Sequence, residues 1–421
     1  MTELSQIVRM KVLHINTLQT GGAAWCAIRI NKALAHEGID SRMLFAEGNE
    51  MPEGVQGAIA ERDNIIWNRN WRLKKIRNQL AKFSWYMDTE KMQKQLDTAN
   101  KQHLYLHHPL SDYKNIAHHP LVEWADIIHL HWVPDFVDYP TFFREVKKPI
   151  VWTLHDKYPA VGLMHYSSKF HPVPDDLKGL DLEYRKIKRE GVSNANSLNL
   201  VAISELMVEE CGNSDVLGGF PVTLIHNGVD TTVFRPYNKQ DSRRELGLFS
   251  DAKVFLFSAY GLHDKNKGLE RIIKALERVD CLKKELVCIG GFSSESISET
   301  SFPVILTGMI SNQKKIAEYY SSADYFFQCS YEETFAQTPI EAMACGTPVI
   351  STPCSGAIDL IRPFNGVICK GFDSDAIATG INEVLNNQYN SEEIRQYIID
   401  NFRYDKIAQQ YISLYESILS K

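Results

Sequence analysis

The stretch that decides the fold lies at residues 330–348 and reads Ser-Tyr-Glu-Glu-Thr-Phe-Ala-Gln-Thr-Pro-Ile-Glu-Ala-Met-Ala-Cys-Gly-Thr-Pro. The apolar run at 324–329 before it predicts a buried strand, and residues 339–345 predict a short helix that Gly346 closes. Thr338 is the expected N-cap, with Pro339 at the first helical position and Glu341 as the capping-box partner. The loop between strand and helix then faces free helical N–H groups, which favour an anion such as a phosphate.

Two carboxylates flank this predicted anion site, because Glu333 and Glu341 are separated by residues 334–340. One carboxylate then lies on the strand side and the other on the helix side. Both can reach hydroxyl groups of a ligand whose phosphates lie at the helix end, and a sugar nucleotide has this anatomy. Two simpler interpretations stay open: Glu341 is only a capping partner, and Glu333 is only a surface carboxylate.

This pair of glutamates, with the segment from Phe335 to Val349, resembles the signature of the retaining glycosyltransferases of family 4, which have the two-domain GT-B fold. In that family the first glutamate lies against the donor sugar and the second binds the nucleotide ribose. The resemblance implies these roles for Glu333 and Glu341. It also implies donor contacts from the residues between them, namely Phe335, Ala336, Gln337 and Thr338. The family usually has glycine where this chain has Ala336.

Composition limits the class of protein. A chain of 421 residues with 44% hydrophobic content supports two domains with cores of their own. The net charge of −6 argues against a nucleic acid partner, because such binding depends on Lys and Arg.

The eight cysteines form no Cys-x-x-Cys pair, which favours buried free thiols in a reducing cytoplasm. No secretion signal and no apolar run near the roughly 20 residues of a membrane span are present, so we expect a cytoplasmic protein, soluble or peripheral on the inner face of the membrane.

A strand, a glycine turn and a helix open the chain. The strand at 10–16 leads into Gly21 and Gly22, and the helix after them stops at Gly38. Adjacent glycines let the backbone approach a ligand, and the helix N-terminus offers N–H groups to an anion. The family places a Gly-Gly-Ala turn of this kind near the donor phosphates, so the resemblance implies that Gly21 and Gly22 bind the donor. A tight turn without a ligand is the alternative.

Two histidine-rich strands follow, at residues 125–132 and 149–156, and end in polar residues. Such strand ends form the ligand crevice of open α/β sheets. His129 and His131 would share a strand face, but no third ligand is indicated, so we expect no metal and no other cofactor. The run Trp-Thr-Leu-His-Asp at 152–156 resembles the family segment whose histidine reaches the donor sugar, which implies a catalytic role for His155. Asp156 and His131 are the expected acceptor contacts.

A cationic segment lies between these regions, at Ile65 to Met87. Its apolar residues recur at helical spacing, and its six basic residues have no acidic residue among them. This pattern suits an anionic membrane surface or a phosphorylated acceptor. A helix that packs its apolar stripe on its own domain is the alternative.

The C-terminal half begins with a strand at 254–259, a loop that contains Lys265, and a helix that follows Gly268. A lysine beside a glycine at a helix start can neutralise a diphosphate, and Lys267 with Gly268 matches the family's lysine. The family's Gly-Arg pair is absent from this loop, so Lys265 is expected to share the phosphate role; a solvated surface charge is the alternative. Residues 307–310 resemble the family segment that holds the base, which implies a donor contact at Met309.

The resemblance as a whole implies two Rossmann-like parallel-sheet domains facing a cleft. We expect an N-terminal acceptor domain at 1–235, to which a last helix at 405–421 crosses back, and a donor domain at 236–404. The implied reaction moves a sugar from a nucleotide-sugar donor to a glycan or lipid-linked acceptor with retention of configuration and without a metal. A sugar-nucleotide epimerase of the same fold and an inactive sugar-nucleotide-binding protein are the alternatives.

Overall fold

Both sheets of the protein consist of parallel strands, which the sequence encodes as short and almost continuously apolar runs. The computed structural model describes residues 10–47, 106–111, 113, 115–166, 169–280, 283–291 and 299–421. In Ile150–Leu154, for example, every side chain is buried, as expected for a parallel strand covered on both faces. Each sheet has six strands. The prediction of an α/β fold with two Rossmann-like parallel sheets is therefore confirmed.

The N-terminal unit contains the first sheet. Its strands are β1 (Lys11–Leu18), β2 (Asp40–Glu47), β3 (Ile127–Leu130), β4 (Ile150–Leu154), β5 (Leu198–Ala202) and β6 (Val222–Leu224). Its helices are α1 (Gly22–His36), α2 (Pro120–Trp124), α3 (Tyr139–Glu145), α4 (Lys178–Val192) and α5 (Glu205–Asn213). The strand order is β2-β1-β3-β4-β5-β6. The order reverses between β1 and β3, and such a switch point is where open α/β sheets bind ligands.

The C-terminal unit contains the second sheet. Its strands are β7 (Lys253–Gly261), β8 (Lys284–Gly291), β9 (Val304–Gly308), β10 (Tyr325–Gln328), β11 (Val349–Ser351) and β12 (Gly366–Ile368). Its helices are α6 (Lys239–Leu246), α7 (Leu269–Glu277), α8 (Gln313–Ser322), α9 (Gln337–Ala344), α10 (Ser355–Leu360), α11 (Ser374–Asn386) and α12 (Ser391–Phe402). The strand order is β12-β11-β10-β7-β8-β9. The switch point of this sheet therefore lies between β7 and β10.

The boundary between the units falls between Ile225 and His226, ahead of the Arg235 boundary expected from sequence. The last helix, α13 (Tyr404–Leu419), begins in the C-terminal unit, and its residues from Ala408 onward group with the N-terminal unit. There its tyrosines contact the sheet, since Tyr415 OH lies 2.7 Å from Nδ1 of His129 and Tyr411 OH lies 2.9 Å from Oγ1 of Thr153.

Other sequence predictions have simple outcomes. Seven cysteines are free and buried, as predicted, and Cys281 lies outside the described residues. The cationic segment at 65–87 also lies outside them. None of the helices in the described part of the chain combines the length and apolarity that a bilayer crossing needs.

Candidate functional site

Two predicted catalytic residues meet at the switch point of the second sheet. Lys267 lies in the loop after β7 and Glu333 in the loop after β10, and these strands are neighbours. The ammonium nitrogen of Lys267 is 2.6 Å from Oε2 of Glu333, and both side chains are partly exposed. A cation and a carboxylate thus meet at the carboxyl edge of the sheet, where this fold binds ligands.

Two residues that sequence reasoning missed hold these loops together. The side chain of Asn266 donates to the carbonyl of Glu332 at 2.9 Å and accepts from its N–H at 3.0 Å. Arg271 donates to the carbonyl of Cys329 at 2.6 Å, and its guanidinium lies 3.4 Å from the ring centre of Tyr331. Asn266 joins the loop after β7 to the loop after β10, and Arg271 joins the first turn of α7 to the same second loop, so the two residues position Lys267 beside Glu333.

Gly268 allows the same loops to approach closely. Its φ is 88°, and a Cβ at this position would lie 2.5 Å from the carbonyl oxygen of Cys329 and 2.5 Å from a nitrogen of Arg271. The left-handed backbone favours glycine, and the carbonyl is backbone that cannot move alone.

We expect Gly268→Ala to destabilise the protein by more than the roughly 1–2 kcal/mol that a left-handed residue costs. Gly247→Ala is the matched control, because Gly247 has φ 70° but an added Cβ would meet nothing within 4 Å among the described residues. Thermal or urea unfolding of the two variants checks this. Equal losses of stability would mean that the close approach at Gly268 carries no cost.

Helix α9 does not begin as predicted. It starts at Gln337, and its N-cap is Ala336, with no capping hydrogen bond from a side chain. The prediction of a Thr338 N-cap with a Glu341 capping box is therefore wrong. The hydroxyl of Thr338 instead donates to Oε1 of Gln328 at 3.4 Å. Ala336 has φ −70°, ordinary for any residue, so the backbone does not require the glycine that the family usually has.

Glu341 has a different partner from the predicted one. It is 7% exposed, and its Oε2 accepts from the hydroxyl of Tyr320, a residue of α8, at 3.2 Å. The capping interpretation of Glu341 is thereby removed. The C-terminus of α9 follows the prediction, because Gly346 has φ 82° and the N–H groups of Gly346 and Thr347 bond to the carbonyls of Met343 and Ala342.

The other predicted donor contacts of the C-terminal unit differ in their location and in how exposed they are. Met309 follows β9 and is 59% exposed, and Lys265 is exposed in the loop after β7. Gln337 is the first residue of α9. Phe335 is buried, with its ring 5.2 Å from that of His226.

The glycine turn of the first sheet lies at that sheet's switch point, after β1. Gly21 is the N-cap of α1 and has φ 97°, a conformation that favours glycine. A Cβ added at Gly21 or Gly22 would meet nothing within 4 Å among the described residues. The turn is therefore uncrowded among the described residues, and it lies at the N-terminus of α1, where helical N–H groups favour an anion.

Four histidines on or just after strands of the first sheet form a cluster. They are His14, His129, His131 and His155. His131 contacts His14 through Nε2 at 2.8 Å and His155 through Nδ1 at 3.0 Å. His131 is 1% exposed, and its ring lies between those of His14 and His155. His129 uses Nδ1 for Tyr415 and Nε2 for Thr153. Burial lowers the pKa of all four imidazoles, to about 3 for His14 and about 4 for His155.

His14 supplies the third histidine that sequence reasoning did not find beside His129 and His131. One ring nitrogen from each of the three residues lies within 4.8 Å of the others. His14 is paired in register with His129 across β1 and β3, and a parallel-sheet register between such distant residues leaves no trace in local sequence. The ring nitrogens of these three histidines are engaged in the hydrogen bonds just described, apart from Nε2 of His14.

Asp156 is also held by neighbours. Its Oδ2 accepts from Nε1 of Trp132 at 3.0 Å and lies 2.6 Å from Nδ1 of His165, and its Oδ1 accepts from the N–H of Tyr158. Burial alone raises the pKa of this carboxyl, but the contacts with His165 and Tyr158 outweigh burial and hold it below its usual value. An acceptor hydroxyl that binds Asp156 must share the carboxylate with Trp132, His165 and Tyr158.

A second carboxylate–histidine pair lies next to the first. Nδ1 of His107 is 2.7 Å from Oδ2 of Asp135, and the rings of His107 and His165 meet edge to face at 4.6 Å. Asp135 has φ 61°, an uncommon conformation for a residue other than glycine. Strained backbone of this kind often marks functional sites. Sequence reasoning missed this pair, because a backbone angle is visible only in the structure.

Lys188 fixes the loop that carries Asp156 and His165. Its ammonium donates to the carbonyls of Tyr158, Val161 and Gly162 and is fully buried. Burial lowers the pKa of this lysine. Because the three carbonyls belong to the loop after β4, which also contains Asp156, Lys188 fixes the backbone near Asp156.

Most of the C-terminal unit is similar to a known family of proteins. Residues 238–403 match the family model described as "Glycosyl transferases group 1". An uncharacterized glycosyltransferase of Methanocaldococcus jannaschii, MJ1607, is 25% identical over 310 residues, which cover 69% of this chain and 75% of that protein.

Solved structures match over nearly the whole chain. Sucrose-phosphate synthase from Thermosynechococcus elongatus superposes with a TM-score of 0.65 at 18% identity, covering 98% of this chain and 100% of the other. HepE from Anabaena, in complex with UDP and glucose, superposes with a TM-score of 0.63 at 17% identity, covering 97% and 100%. The protein therefore has the GT-B fold, and its residues 238–403 resemble the group 1 glycosyltransferases.

Proposed function

We propose that the protein is a retaining glycosyltransferase that moves a sugar from a nucleotide-sugar to a hydroxyl of a glycan or lipid-linked acceptor, without a metal. The observation that carries the proposal is the contact of Lys267 with Glu333 at 2.6 Å beside the switch point. Transfer of a sugar develops negative charge on the departing diphosphate and positive charge on the sugar. A fixed cation and a fixed carboxylate stabilise these two charges.

The C-terminal unit offers a surface for each part of a nucleotide donor. The exposed side chain of Met309 suits the apolar face of a base, and Glu341 suits the ribose hydroxyls. The N-terminus of α9 and Lys267 suit the diphosphate. The solved relative HepE binds UDP and glucose, which supports the same class of donor here.

The N-terminal unit supplies the remaining proposed contacts. The turn at Gly21 and Gly22 offers N–H groups to the diphosphate, and His155 is the proposed contact to the donor sugar. Asp156 is the proposed acceptor contact, oriented by Trp132 and His165. His131, which is buried, is proposed to act on the acceptor through its contact with His155.

The proposed chemistry balances as one exchange at the anomeric carbon. The bond from this carbon to the diphosphate oxygen breaks, and its electron pair stays on that oxygen, whose charge Lys267 offsets. The acceptor oxygen bonds to the same face of the carbon, and its proton passes to the departing diphosphate. Glu333 stabilises the positive charge that the sugar carries between the two events.

A screen of nucleoside diphosphates by thermal shift identifies the base, because a ligand at 100 times its Kd adds about 2.7 kcal/mol to stability. Incubation of the matching α-linked nucleotide-sugar with sugar acceptors, followed by NMR of the anomeric proton, then tests the reaction. An α-linked product is expected. A β-linked product contradicts retention, and free epimerised sugar without an acceptor contradicts transfer.

We expect full activity in the presence of EDTA, because Lys267 and the backbone N–H groups stabilise the diphosphate without a divalent ion. The measurement compares turnover of protein treated with EDTA, with and without added magnesium or manganese. Loss of turnover in the chelator, restored by either ion, contradicts this prediction.

A further inference from the structure

Three histidines of the N-terminal unit, two of them buried and one partly exposed, form a row that crosses its sheet. His14 lies on β1, His131 follows β3 and His155 follows β4. Nδ1 of His14 is 2.8 Å from Nε2 of His131, and Nδ1 of His131 is 3.0 Å from Nε2 of His155. The ring centres are 5.1 and 5.2 Å apart with interplanar angles of 21° and 20°. Rings whose nitrogens are so much closer than their centres meet edge to edge, as in a hydrogen-bonded chain.

Each imidazole in this row is neutral at physiological pH, because burial lowers the pKa of His14 to about 3, of His155 to about 4 and of His131 well below its usual value. A neutral imidazole has one N–H donor and one acceptor nitrogen. The three imidazoles together carry three N–H protons. Each of the two contacts uses one of them, so the third lies on the outer ring nitrogen at one end of the row. The row therefore has two fully bonded arrangements, in which all three residues carry the proton on Nδ1 or all three carry it on Nε2.

The two ends of the row decide between these arrangements. Nε2 of His14 and Nδ1 of His155 both lack a hydrogen-bond partner among the described residues. Both nitrogens are themselves buried, but His14 as a residue is 0% exposed, whereas His155 as a residue is partly exposed. A buried N–H without a partner is rarer in proteins than an unpaired acceptor. The acceptor end therefore belongs at His14, which is fully enclosed, and the N–H end belongs at His155, whose partly exposed side chain can meet a ligand.

We infer that His14 and His131 are positioning residues that hold His155 in the tautomer with a proton on Nδ1. His14 donates to His131, His131 donates to His155, and the Nδ1–H of His155 is left as a donor at the partly exposed end. Its ligand is an acceptor oxygen, such as a hydroxyl of the transferred sugar. This choice of ligand rests on the proposed function, whereas the tautomer itself does not.

A metal bound to His14, His129 and His131 is the competing interpretation of these residues. Nitrogens that share a tetrahedral zinc at 2.0–2.1 Å lie about 3.3 Å apart, but those of His14 and His131 are 2.8 Å apart. Both ring nitrogens of His129 are bonded to Tyr415 and Thr153. The spacing and the bonded nitrogens favour the hydrogen-bonded row.

The test is long-range ¹H–¹⁵N NMR of the full chain labelled with ¹⁵N-histidine, recorded without substrate, with signals assigned from single histidine variants. We expect Nδ1–H tautomers at His14, His131 and His155. In His14→Phe, which cannot donate to His131, the His155 signals should shift toward Nε2–H. The kcat/KM should fall about 10- to 100-fold, the range for partners that orient a functional histidine. His129→Gln is the control, because His129 lies beside the row but is not a member, and it should leave the His155 tautomer unchanged.

Three results overturn the inference. One is an Nε2–H tautomer of His155 in the wild type, which needs no variant and so stands even if His14→Phe does not fold. Another is an unchanged His155 tautomer in folded His14→Phe. The third is stoichiometric zinc binding that shifts the signals of His14, His129 and His131 together. Because tautomers are read without substrate, a failure of glycosyl transfer is distinguishable from a failure of the row.

Discussion

Lys267→Met should lower kcat by about 100- to 1000-fold, the usual cost of removing one group that stabilises charge in the transition state. Donor binding should weaken far less, because the charge on the diphosphate grows as the glycosidic bond breaks. Methionine keeps most of the length of the lysine stem, so the substitution removes the ammonium rather than the packing. Single-turnover kinetics and donor titration separate the two effects.

The Lys267 variant needs two comparisons. Lys274→Met is the matched control, because Lys274 also pairs with a glutamate, Glu270, but on the exposed surface of α7, and it should retain wild-type kcat. Glu333→Gln and the double variant form a cycle with Lys267→Met. If the two residues stabilise one transition state together, the double variant loses less than the product of the single losses. An increase in KM at unchanged kcat contradicts the catalytic role of Lys267.

The sequence was sufficient for the strands and helices around the site because local patterns encode them. Buried parallel strands are apolar runs, and the helix after residue 336 ends at Gly346 in the left-handed conformation that only glycine adopts easily. The start of the same helix was predicted wrongly. Local pattern assigned a cap to Thr338, but its hydroxyl is used by Gln328 of the neighbouring strand, a partner that depends on tertiary packing.

The contacts that organise the candidate site were beyond sequence reasoning for the same reason. Asn266 and Arg271 join loops whose residues lie far apart in the chain, and His14 meets His131 across the sheet. A single sequence contains the residues but not the register that brings them together. Motif resemblance found Lys267 and Glu333, whereas their mutual contact and its supports required the strand order.

Glu341→Gln should fold with nearly wild-type stability and lose about 1.5–3 kcal/mol of donor interaction, the range for hydrogen bonds to charged groups. This loss corresponds to an affinity about 10- to 150-fold weaker. Glutamine can still accept the hydrogen bond from Tyr320, but it lacks the ionised carboxylate that accepts from two ribose hydroxyls. Melting temperature and donor affinity, measured on the same samples, give both quantities.

Two control variants test whether Glu341 serves the ligand or the fold. Tyr320→Phe removes the hydroxyl bonded to Glu341, so it should lower stability modestly while donor affinity stays close to wild type. Thr338→Ala should cost less than the roughly 1 kcal/mol of a lost helix cap, because α9 is capped at Ala336 without a side-chain bond. If Glu341→Gln binds donor like the wild type, or if Tyr320→Phe loses as much affinity as Glu341→Gln, then Glu341 supports the packing of α8 against α9 and the ribose assignment is wrong.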